Sequence, residues 1–206
     1  MLAFSSSVAD IDSGSLLMAV LRSSSPLASK SIGKAVADRL ISASASPSPL
    51  PPLLRHHRLH ISAGPVAPCR SASLTFTHLL HSRYRSKSDL ASYTDDPAHV
   101  SVVNNYDKPV VDDVMAVNWV AEGFSGPVAV PPGSSLRLTV MKLKEEEEAG
   151  KGEILGIARG MKEKFDSIEQ LTVGENFSPG RSKGFSIASI GVVKDLESNA
   201  KILDHV

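Results

Sequence analysis

The stretch Leu171–Val193 reads LTVGENFSPGRSKGFSIASIGVV and decides the fold. Two apolar runs, LTV and FSIASIGVV, flank a segment that holds three glycines, one proline and several charges. A phosphate-binding loop of the GxxxxGK type leads directly into a helix, whose N-terminus helps to hold the phosphates. Here Arg181 and Ser182 follow Gly180, and the next residues have the pattern of a strand. The stretch therefore predicts a strand-loop-strand hairpin rather than a nucleotide site.

The segments around this hairpin complete a recognisable block. Leu136–Lys144 alternates as a strand does, and apolar residues recur at helical spacing from about Gly152 to Phe165. The hairpin strands are predicted at Ile168–Val173 and Gly184–Val193, and a short helix at Leu196–His205. A ferredoxin-like module has the order strand-helix-strand-strand-helix-strand. The block therefore predicts such a module without its last strand.

An upstream block carries only half of that pattern. Leu74–Tyr84 predicts a strand, and Ser88–Asn104 predicts a helix that Ser88 caps and that restarts with Pro97 in its first turn. Val114–Val120 is apolar on both faces and predicts a second strand, followed by a proline-containing linker at Ser125–Ser135. The opening strand, the first helix and the second strand of a module have no counterpart in residues 1–70.

The N-terminal part has a different composition from the rest. Residues 1–88 contain ten Lys or Arg and three Asp or Glu, whereas residues 89–206 contain twelve and nineteen. Fourteen of the first sixty residues are serine, which predicts a disordered segment and is typical of an organelle transit peptide. The longest early apolar run, Leu16–Leu21, is too short for a secretory signal or a membrane span. The shortness of this run predicts no membrane insertion. Because the basic surplus lies in this segment and the rest of the chain is acidic, we expect no nucleic-acid binding.

No metal or cofactor site is predicted. Cys69 is the single cysteine, which excludes an internal disulfide and a cysteine-based zinc site. The RHHRLH segment with His56, His57 and His60 has no carboxylate nearby, and the acidic run Glu145–Glu148 has the pattern of a solvated turn. We therefore expect neither a bound metal nor a cofactor.

Two motifs carry a family resemblance. VGENFSP, a short basic turn and GFSIASI resemble the signature of the plant stress-response A/B barrel family, also called dimeric α+β barrel proteins. SKSDLASYTDDPAHVSVV and VVDDVMAVNWV resemble the family's second helix and closing strand. The resemblance implies an α+β fold of ferredoxin-like modules, each an antiparallel four-stranded sheet with helices on one face. The order of segments in this sequence is similar to that of a plant subfamily with a plastid leader and two tandem domains. This similarity implies a chloroplast location, with the cytoplasm as the alternative.

The resemblance also implies a division of the chain. Residues 1–70 form the leader, 71–122 the C-terminal part of a first domain, 123–133 a linker, and 134–206 a second domain without its last strand. Two alternatives remain open: Val114–Val120 fills the edge that the missing strand leaves, or this form of the protein does not fold well. With one module's worth of strands, we predict a homodimer that covers its sheet by pairing with a second copy.

The hairpin loop is expected to have a structural role. Glu175 and Asn176 are expected to bond loop backbone groups, Phe177 to pack against the end of the barrel, and Gly180 and Gly184 to permit positive φ. The family signature is carried by seven residues: Gly174, Glu175, Asn176, Phe177, Ser178, Pro179 and Gly184.

Tyr93 and His99 are the candidate catalytic residues. A plant polyketide cyclase of this family uses a tyrosine and a histidine in the same helix segment, and the motif YTDDPAH places Tyr93 and His99 at those positions. A neutral histidine and a tyrosine hydroxyl can remove a proton and stabilise an oxyanion. The leading hypothesis is a non-enzymatic barrel that binds a small hydrophobic ligand or a protein. The alternative is a cyclase-like enzyme that uses these two side chains.

Overall fold

Seven strands and four α-helices occupy the residues that the computed structural model describes, which are 13–22, 58–67, 75–122, 124, 126–144 and 149–204. The strands are β1 (Ser13–Arg22), β2 (Arg58–Pro65), β3 (His78–Tyr84), β4 (Asp113–Glu122), β5 (Ser135–Met141), β6 (Ile168–Glu175) and β7 (Ile187–Val193). The helices are α1 (Lys87–Asp95), α2 (Pro97–Val102), α3 (Lys151–Lys164) and α4 (Leu196–Asp204). A π-helical turn (Val103–Asp107) extends α2, and a 3-10 turn (Pro179–Arg181) lies between β6 and β7.

The first module contains a four-stranded antiparallel sheet, sheet A, with the order β2-β3-β1-β4. This is the strand order of a ferredoxin-like fold. The expectation that residues 1–70 supply no strand is therefore wrong, because β1 and β2 both lie there. β1 pairs with β3 on one side and with β4 on the other, more than fifty residues away along the chain. The strand-forming tendency of SGSLLMAVLR was hidden by its serine-rich surroundings.

The second module contains sheet B, a three-stranded antiparallel sheet with the order β5-β7-β6 among the described residues. Its element order is strand, helix, strand, strand, helix, as the sequence predicts. The apolar face of α3 packs on sheet B through Ala158, which contacts Val173 and Ile187. α4 packs on the same face through Ile202, which is buried with Val193.

The two sheets face each other within one chain and share an apolar core. Met115, Val117 and Trp119 of β4 pack in this core with Ala188 and Ile190 of β7. The alternating residues of β4 face the other way, where Ala116 packs with Leu90 and Tyr93 of α1. This arrangement explains why β4 is apolar on both faces: one face contacts a helix and the other contacts a second sheet.

β4 does not fill the open edge of the second module. It pairs with β1 along its whole length, from Ser13 opposite Glu122 to Arg22 opposite Asp113, and it has no ladder with β5. The sequence hypothesis of strand complementation is therefore wrong. Its premise was that the first module lacks strands, and β1 supplies the partner that β4 needs.

The first helical segment is broken where the sequence predicts a break. Asp96 ends α1 and caps α2, since its carboxylate accepts a hydrogen bond from the backbone N–H of Ala98 at 2.7 Å. Pro97 occupies the first turn of α2, where its missing N–H is harmless. The cap of α1 is Ser86 rather than the expected Ser88, because Ser86 Oγ accepts from the backbone N–H of Asp89.

Candidate functional site

The GENFSP loop joins β6 to β7 and lies against β4 of the other module. Asn176 Oδ1 accepts hydrogen bonds from the backbone N–H of Asn118 at 3.1 Å and of Ser178 at 3.0 Å. Asn176 Nδ2 donates to the carbonyl oxygen of Phe185 at 2.9 Å. The backbone N–H of Phe177 donates to the carbonyl oxygen of Asn118 at 2.9 Å. The loop therefore attaches the second module to the edge of sheet A.

Other positions of the loop differ in detail from the sequence expectation. Glu175 pairs with the ammonium group of Lys151 at 2.7 Å instead of bonding loop backbone. Gly184 has a φ of 81°, which favours glycine, and the preceding Lys183 has a φ of 54°. Gly180 is not among the residues with positive φ and lies in the 3-10 turn. The chain reversal is therefore made at positions 183 and 184.

The helix break brings Tyr93 and His99 together. Tyr93 lies in the last turn of α1 and His99 in the first turn of α2, on either side of Asp96 and Pro97. Their ring centroids are 4.3 Å apart with an interplanar angle of 44°. Tyr93 is buried and His99 is partly buried. The spacing that the sequence motif predicts thus becomes a direct ring contact.

Strand residues of sheet A extend this contact into a larger group. The ring of Tyr84, at the end of β3, lies 5.3 Å from that of Tyr93. The guanidinium of Arg58, at the start of β2, lies 5.6 Å from the centre of the Tyr93 ring. We call Arg58, Tyr84, Tyr93, His99 and Asp107 the tyrosine–histidine cluster. It lies on the helix-facing side of sheet A.

Burial determines the protonation of the cluster. Burial lowers the pKa of His99, and the positive charges of Arg181 and Arg58 lower it further, while Asp96 opposes them. His99 is therefore neutral at neutral pH. Burial raises the pKa of Tyr93, so its hydroxyl stays protonated. The Nδ1 atom of His99 is buried and has no hydrogen-bond partner among the described residues.

Asp107 places a carboxyl group at the same cluster. It is the last residue of the π-helical turn, and its charge acts on the Tyr93 hydroxyl. Burial raises the pKa of Asp107 to about 6, and its Oδ1 atom has no hydrogen-bond partner in the described part of the chain. π-helical turns are often found at functional sites. The cluster thus combines an acidic group, a phenol and a neutral imidazole.

The second module supplies one wall of the cluster. Phe177 of the GENFSP loop packs against the buried group that contains Tyr84 and Tyr93, and the ammonium of Lys87 lies 4.5 Å from its ring centre. Arg181 of the same loop acts electrostatically on His99. The family signature loop and the candidate catalytic pair are therefore neighbours in space, although about eighty residues separate them in the sequence.

Comparison with protein-family models gives two matches to the stress responsive A/B barrel domain, over residues 56–121 and 136–206. The chain belongs to this family. The matches agree with the two sheets, although β1 lies outside the first matched range.

Two curated family members from Arabidopsis thaliana, both described as stress-response A/B barrel domain-containing proteins, are close relatives. The first is 55% identical over 139 residues, which is 67% of this chain and 52% of the relative. The second is 49% identical over 140 residues, which is 67% of this chain and 65% of the relative. The chain thus spans between half and two thirds of the length of these relatives.

Solved structures share the two-module architecture. An anthrone oxidase-like protein superposes with a TM-score of 0.61 at 11% identity, covering 94% of this chain and 78% of its own. A putative monooxygenase from Fusobacterium nucleatum superposes with a TM-score of 0.52 at 10% identity, covering 92% and 78%. These likenesses support the fold of a family member with paired ferredoxin-like sheets.

Sequence reasoning missed three members of the cluster. Arg58 lies in a segment that composition assigned to a disordered leader. Tyr84 was placed on a strand, but its contact with Tyr93 depends on the docking of α1 against β3. Asp107 lies in a π-helical turn, for which the sequence VNNYD gives no clear signal. Only the YxxxxxH spacing of the helix segment pointed to this site.

No group of three or more metal-binding side chains occurs in the described part of the chain. His60 lies beside His81, with ring centroids 5.7 Å apart, whereas His56 and His57 lie outside the described residues. Within the described ranges, none of the helices has the length and hydropathy of a membrane span.

Proposed function

We propose that the protein is a non-enzymatic barrel that binds a small, largely apolar ligand at the tyrosine–histidine cluster. The proposal rests on the Nδ1 atom of His99, which is buried without a hydrogen-bond partner among the described residues. Leaving a buried polar group unpaired costs about 1–3 kcal/mol. A ligand hydroxyl that bonds to this atom recovers that cost, while Tyr84, Tyr93 and Phe177 supply apolar and aromatic contact.

Fluorescence titration with 2-naphthol, an aromatic molecule with one hydroxyl group, tests this proposal. His99→Phe keeps a ring against Tyr93 but removes both ring nitrogens. Its affinity should fall about tenfold, which corresponds to one hydrogen bond.

The matched control is His78→Phe. His78 lies on β3 outside the cluster, and its Nδ1 contacts the hydroxyl of Thr77 at 3.0 Å. This variant should bind 2-naphthol as the wild type does. Absence of saturable binding to the wild type, or equal affinity of the wild type and His99→Phe, would contradict the proposal.

The second candidate function is a cyclase-like reaction that uses His99 as a base and Tyr93 as a hydrogen-bond donor. The observation in its favour is the 4.3 Å ring contact between a neutral imidazole and a protonated phenol. In this reaction, His99 removes a proton next to a carbonyl group, and the Tyr93 hydroxyl stabilises the resulting oxyanion.

Incubation with a linear polyketide thioester and mass spectrometry of the products separates the two candidates. An enzyme forms a cyclised product, and both His99→Phe and Tyr93→Phe reduce its rate by about a hundredfold, in the range expected for a lost acid or base. A binding protein gives no product above the uncatalysed background while it still binds 2-naphthol.

We further propose that the chain is directed to plastids by its N-terminal residues. β1 and β2 belong to sheet A, so removal of residues 1–70 on import would take two strands from the fold. Import that leaves β1 attached fits both the composition of the N-terminal residues and the place of β1 in sheet A. A fluorescent reporter fused after residue 206 should accumulate in plastids at full length on an immunoblot. A diffuse cytosolic signal would contradict the proposal.

A homodimer remains our proposal for the assembly, with the outer edge of β5 as its contact. Among the described residues, this edge has no paired strand, and an open edge tends to pair with another chain. The pairing of sheets A and B within one chain removes the earlier reason for a dimer, which was a shortage of strands. Sedimentation velocity across a range of concentrations should show a dimer. A monomer at every concentration would contradict it.

A further inference from the structure

A positively charged group is buried between the two sheets, on the side of sheet A that faces sheet B. Arg83 of β3 is 5% exposed and its neighbour along that face, His81, is fully buried. His60 of β2 lies beside His81. Gln170 of β6, 3% exposed, reaches them from the opposite sheet. We call Arg83, His81, His60 and Gln170 the interior basic cluster.

The hydrogen-bond partners of Arg83 in the described part of the chain are uncharged. Its Nη2 donates to Gln170 Oε1 at 3.0 Å, and its Nη1 donates to the carbonyl oxygen of Pro127 at 3.4 Å. Its Nε donates to His81 Nε2 at 3.4 Å, and its guanidinium lies 4.5 Å from the ring centre of Phe124. No aspartate or glutamate of the described ranges forms an ion pair with Arg83.

The histidines around Arg83 do not balance its charge. Burial lowers the pKa of His81 well below its usual value, and Arg83 and His60 lower it further. Burial and Arg83 lower the pKa of His60 as well. Burial lowers the pKa of Arg83 to about 10, so the guanidinium is still charged at neutral pH. A buried charge that has hydrogen bonds but no opposite charge beside it is unfavourable, which makes this position one where an anion is stabilised.

Two further polar atoms on the same side of the sheets lack partners. Trp119 Nε1 and Thr172 Oγ1 are buried and have no hydrogen-bond partner among the described residues. Arg83 and Trp119 lie in one row of sheet A, since both are opposite the same residue of β1. Along β6, Thr172 lies between Gln170, which bonds Arg83, and Gly174, which contacts Trp119. Hydrogen-bond donors therefore lie along the space between the two sheets, from Arg83 past Thr172 to Trp119.

We propose that this interior position binds the carboxylate group of a small organic acid, with Arg83 as its charge partner. A guanidinium matches a planar carboxylate through two parallel hydrogen bonds. Arg83 is the one cation in the interior basic cluster, so a monoanion balances the charge and a phosphate dianion does not. Phe124, which is partly buried and whose ring centre lies 4.5 Å from the guanidinium, offers an apolar contact to the uncharged part of such an acid. This site is separate from the tyrosine–histidine cluster, which lies on the opposite face of sheet A.

Benzoate and benzamide are matched probes for this proposal, because they have nearly the same shape and differ in charge. At neutral pH, the full chain should show a rise in melting temperature that increases with benzoate concentration and that benzamide does not reproduce. Sodium chloride at the same ionic strength is the control for general salt effects. An equal response to all three, or no response to benzoate, would overturn the proposal.

Substitutions at Gln170 separate charge compensation from folding. Gln170→Glu places a carboxylate oxygen where Oε1 lies 3.0 Å from Arg83 Nη2, so the charge already has a partner and the response to benzoate should disappear. Gln170→Met loses the same amide but supplies no charge, and it should keep the response. Both variants lose the hydrogen bond to Pro127, so they are matched for that effect. Retention of the response by Gln170→Glu would overturn the proposal, as would its loss in Gln170→Met.

Arg83→Gln is the direct test, and the exposed Arg85 provides its control. Arg85 pairs with Asp89 at 2.9 Å, outside the interior. Benzoate affinity measured by calorimetry should fall tenfold or more in Arg83→Gln, as expected for loss of a charged hydrogen bond, and should be unchanged in Arg85→Gln. Cooperative thermal unfolding of each variant shows that the fold is present. Unchanged affinity in a folded Arg83→Gln variant would contradict the proposal.

Discussion

At the scale of single residues, Gly174 shows how closely the two modules approach. A Cβ atom at this position would lie 2.8 Å from Trp119 Cδ1 and 2.8 Å from the carbonyl oxygen of Val120. Both distances are shorter than side chains tolerate, and one neighbour is backbone that cannot move aside. The glycine of GENFSP is therefore required by the contact between β6 and β4, since its φ is not positive.

Gly174→Ala should lower the free energy of unfolding by about 1–3 kcal/mol, the usual effect of overpacking a core. Urea denaturation measures this change. The matched control is Gly160→Ala in α3, where no neighbouring atom lies within 4 Å of the new Cβ. There alanine should raise stability by roughly 0.5–1 kcal/mol, because it is the better helix former. Equal effects of the two substitutions would show that the contact with Trp119 is unimportant.

At the scale of elements, the start of α1 depends on Ser86. Its hydroxyl accepts the hydrogen bond from the Asp89 N–H, whereas the hydroxyl of Ser88 bonds, among the described residues, to that of Ser86. Ser86→Ala should lower stability by about 1 kcal/mol, as loss of an N-cap does. Ser88→Ala should have a clearly smaller effect in the same urea titration. A larger loss of stability in Ser88→Ala than in Ser86→Ala would mean that Ser88 is the N-cap.

The elements of the second module could be predicted from sequence because their signals are local. β5, α3, β6, β7 and α4 follow alternation or helical spacing within short windows, and their observed ends differ from the predicted ends by a few residues. β1 could not be predicted in this way. Its apolar run Leu16–Leu21 is a local signal, but the serine-rich composition around it favoured a disordered leader, and its partners β3 and β4 lie more than fifty residues away along the chain. The same reason hid Arg58 and the interior basic cluster, since both depend on β2 and β3 lying side by side.

At the scale of the whole molecule, Asn176 links the two modules. Its amide holds the backbone N–H of Asn118 in sheet A and the carbonyl oxygen of Phe185 in the second module. Asn176→Ala removes the acceptor of the backbone N–H groups of Asn118 and Ser178, while the Phe185 carbonyl keeps the hydrogen bond from Ser182 Oγ. It should lower the free energy of unfolding by about 2–4 kcal/mol, the cost of two orphaned polar groups.

Asn176→Asp is the matched variant for this link. Its carboxylate still accepts from Asn118 and Ser178, but its second oxygen cannot donate to Phe185 and places a buried charge beside that carbonyl oxygen. The variant should therefore be less stable than the wild type at neutral pH and should regain stability as the pH falls and the carboxyl group is protonated. If the two modules unfold in two separate steps in Asn176→Ala, the hydrogen bonds of Asn176 also couple the unfolding of one module to that of the other. Wild-type stability of Asn176→Ala would contradict this role.

The stability of the whole molecule should depend on pH through its histidines. Burial lowers the pKa of His60, His78, His81 and His99 below the usual 6.5, with the largest shift at His81. The folded state therefore binds fewer protons than the unfolded state, so the free energy of unfolding is fully present above pH 6.5 and decreases as the pH falls below it. Asp107 acts in the opposite direction. Its pKa is raised from 3.8 to about 6, so its contribution grows as the pH falls from 6 towards 3.8.

Asp107 titrates in an overlapping range, because its pKa is about 6, so the contribution of the histidines is read from the difference between the wild type and a histidine variant. Urea unfolding should show a plateau at roughly pH 7.5–8 and a decrease on acidification from about pH 6.5 to 6. His81→Gln should flatten this decrease, whatever its effect on absolute stability, because only the slope reports the protons that histidine binds on unfolding. A wild-type stability that is constant between pH 6.5 and 6 would mean that the buried histidines do not keep their pKa values lowered, and His60 and His81 would then become charged beside Arg83 in this range.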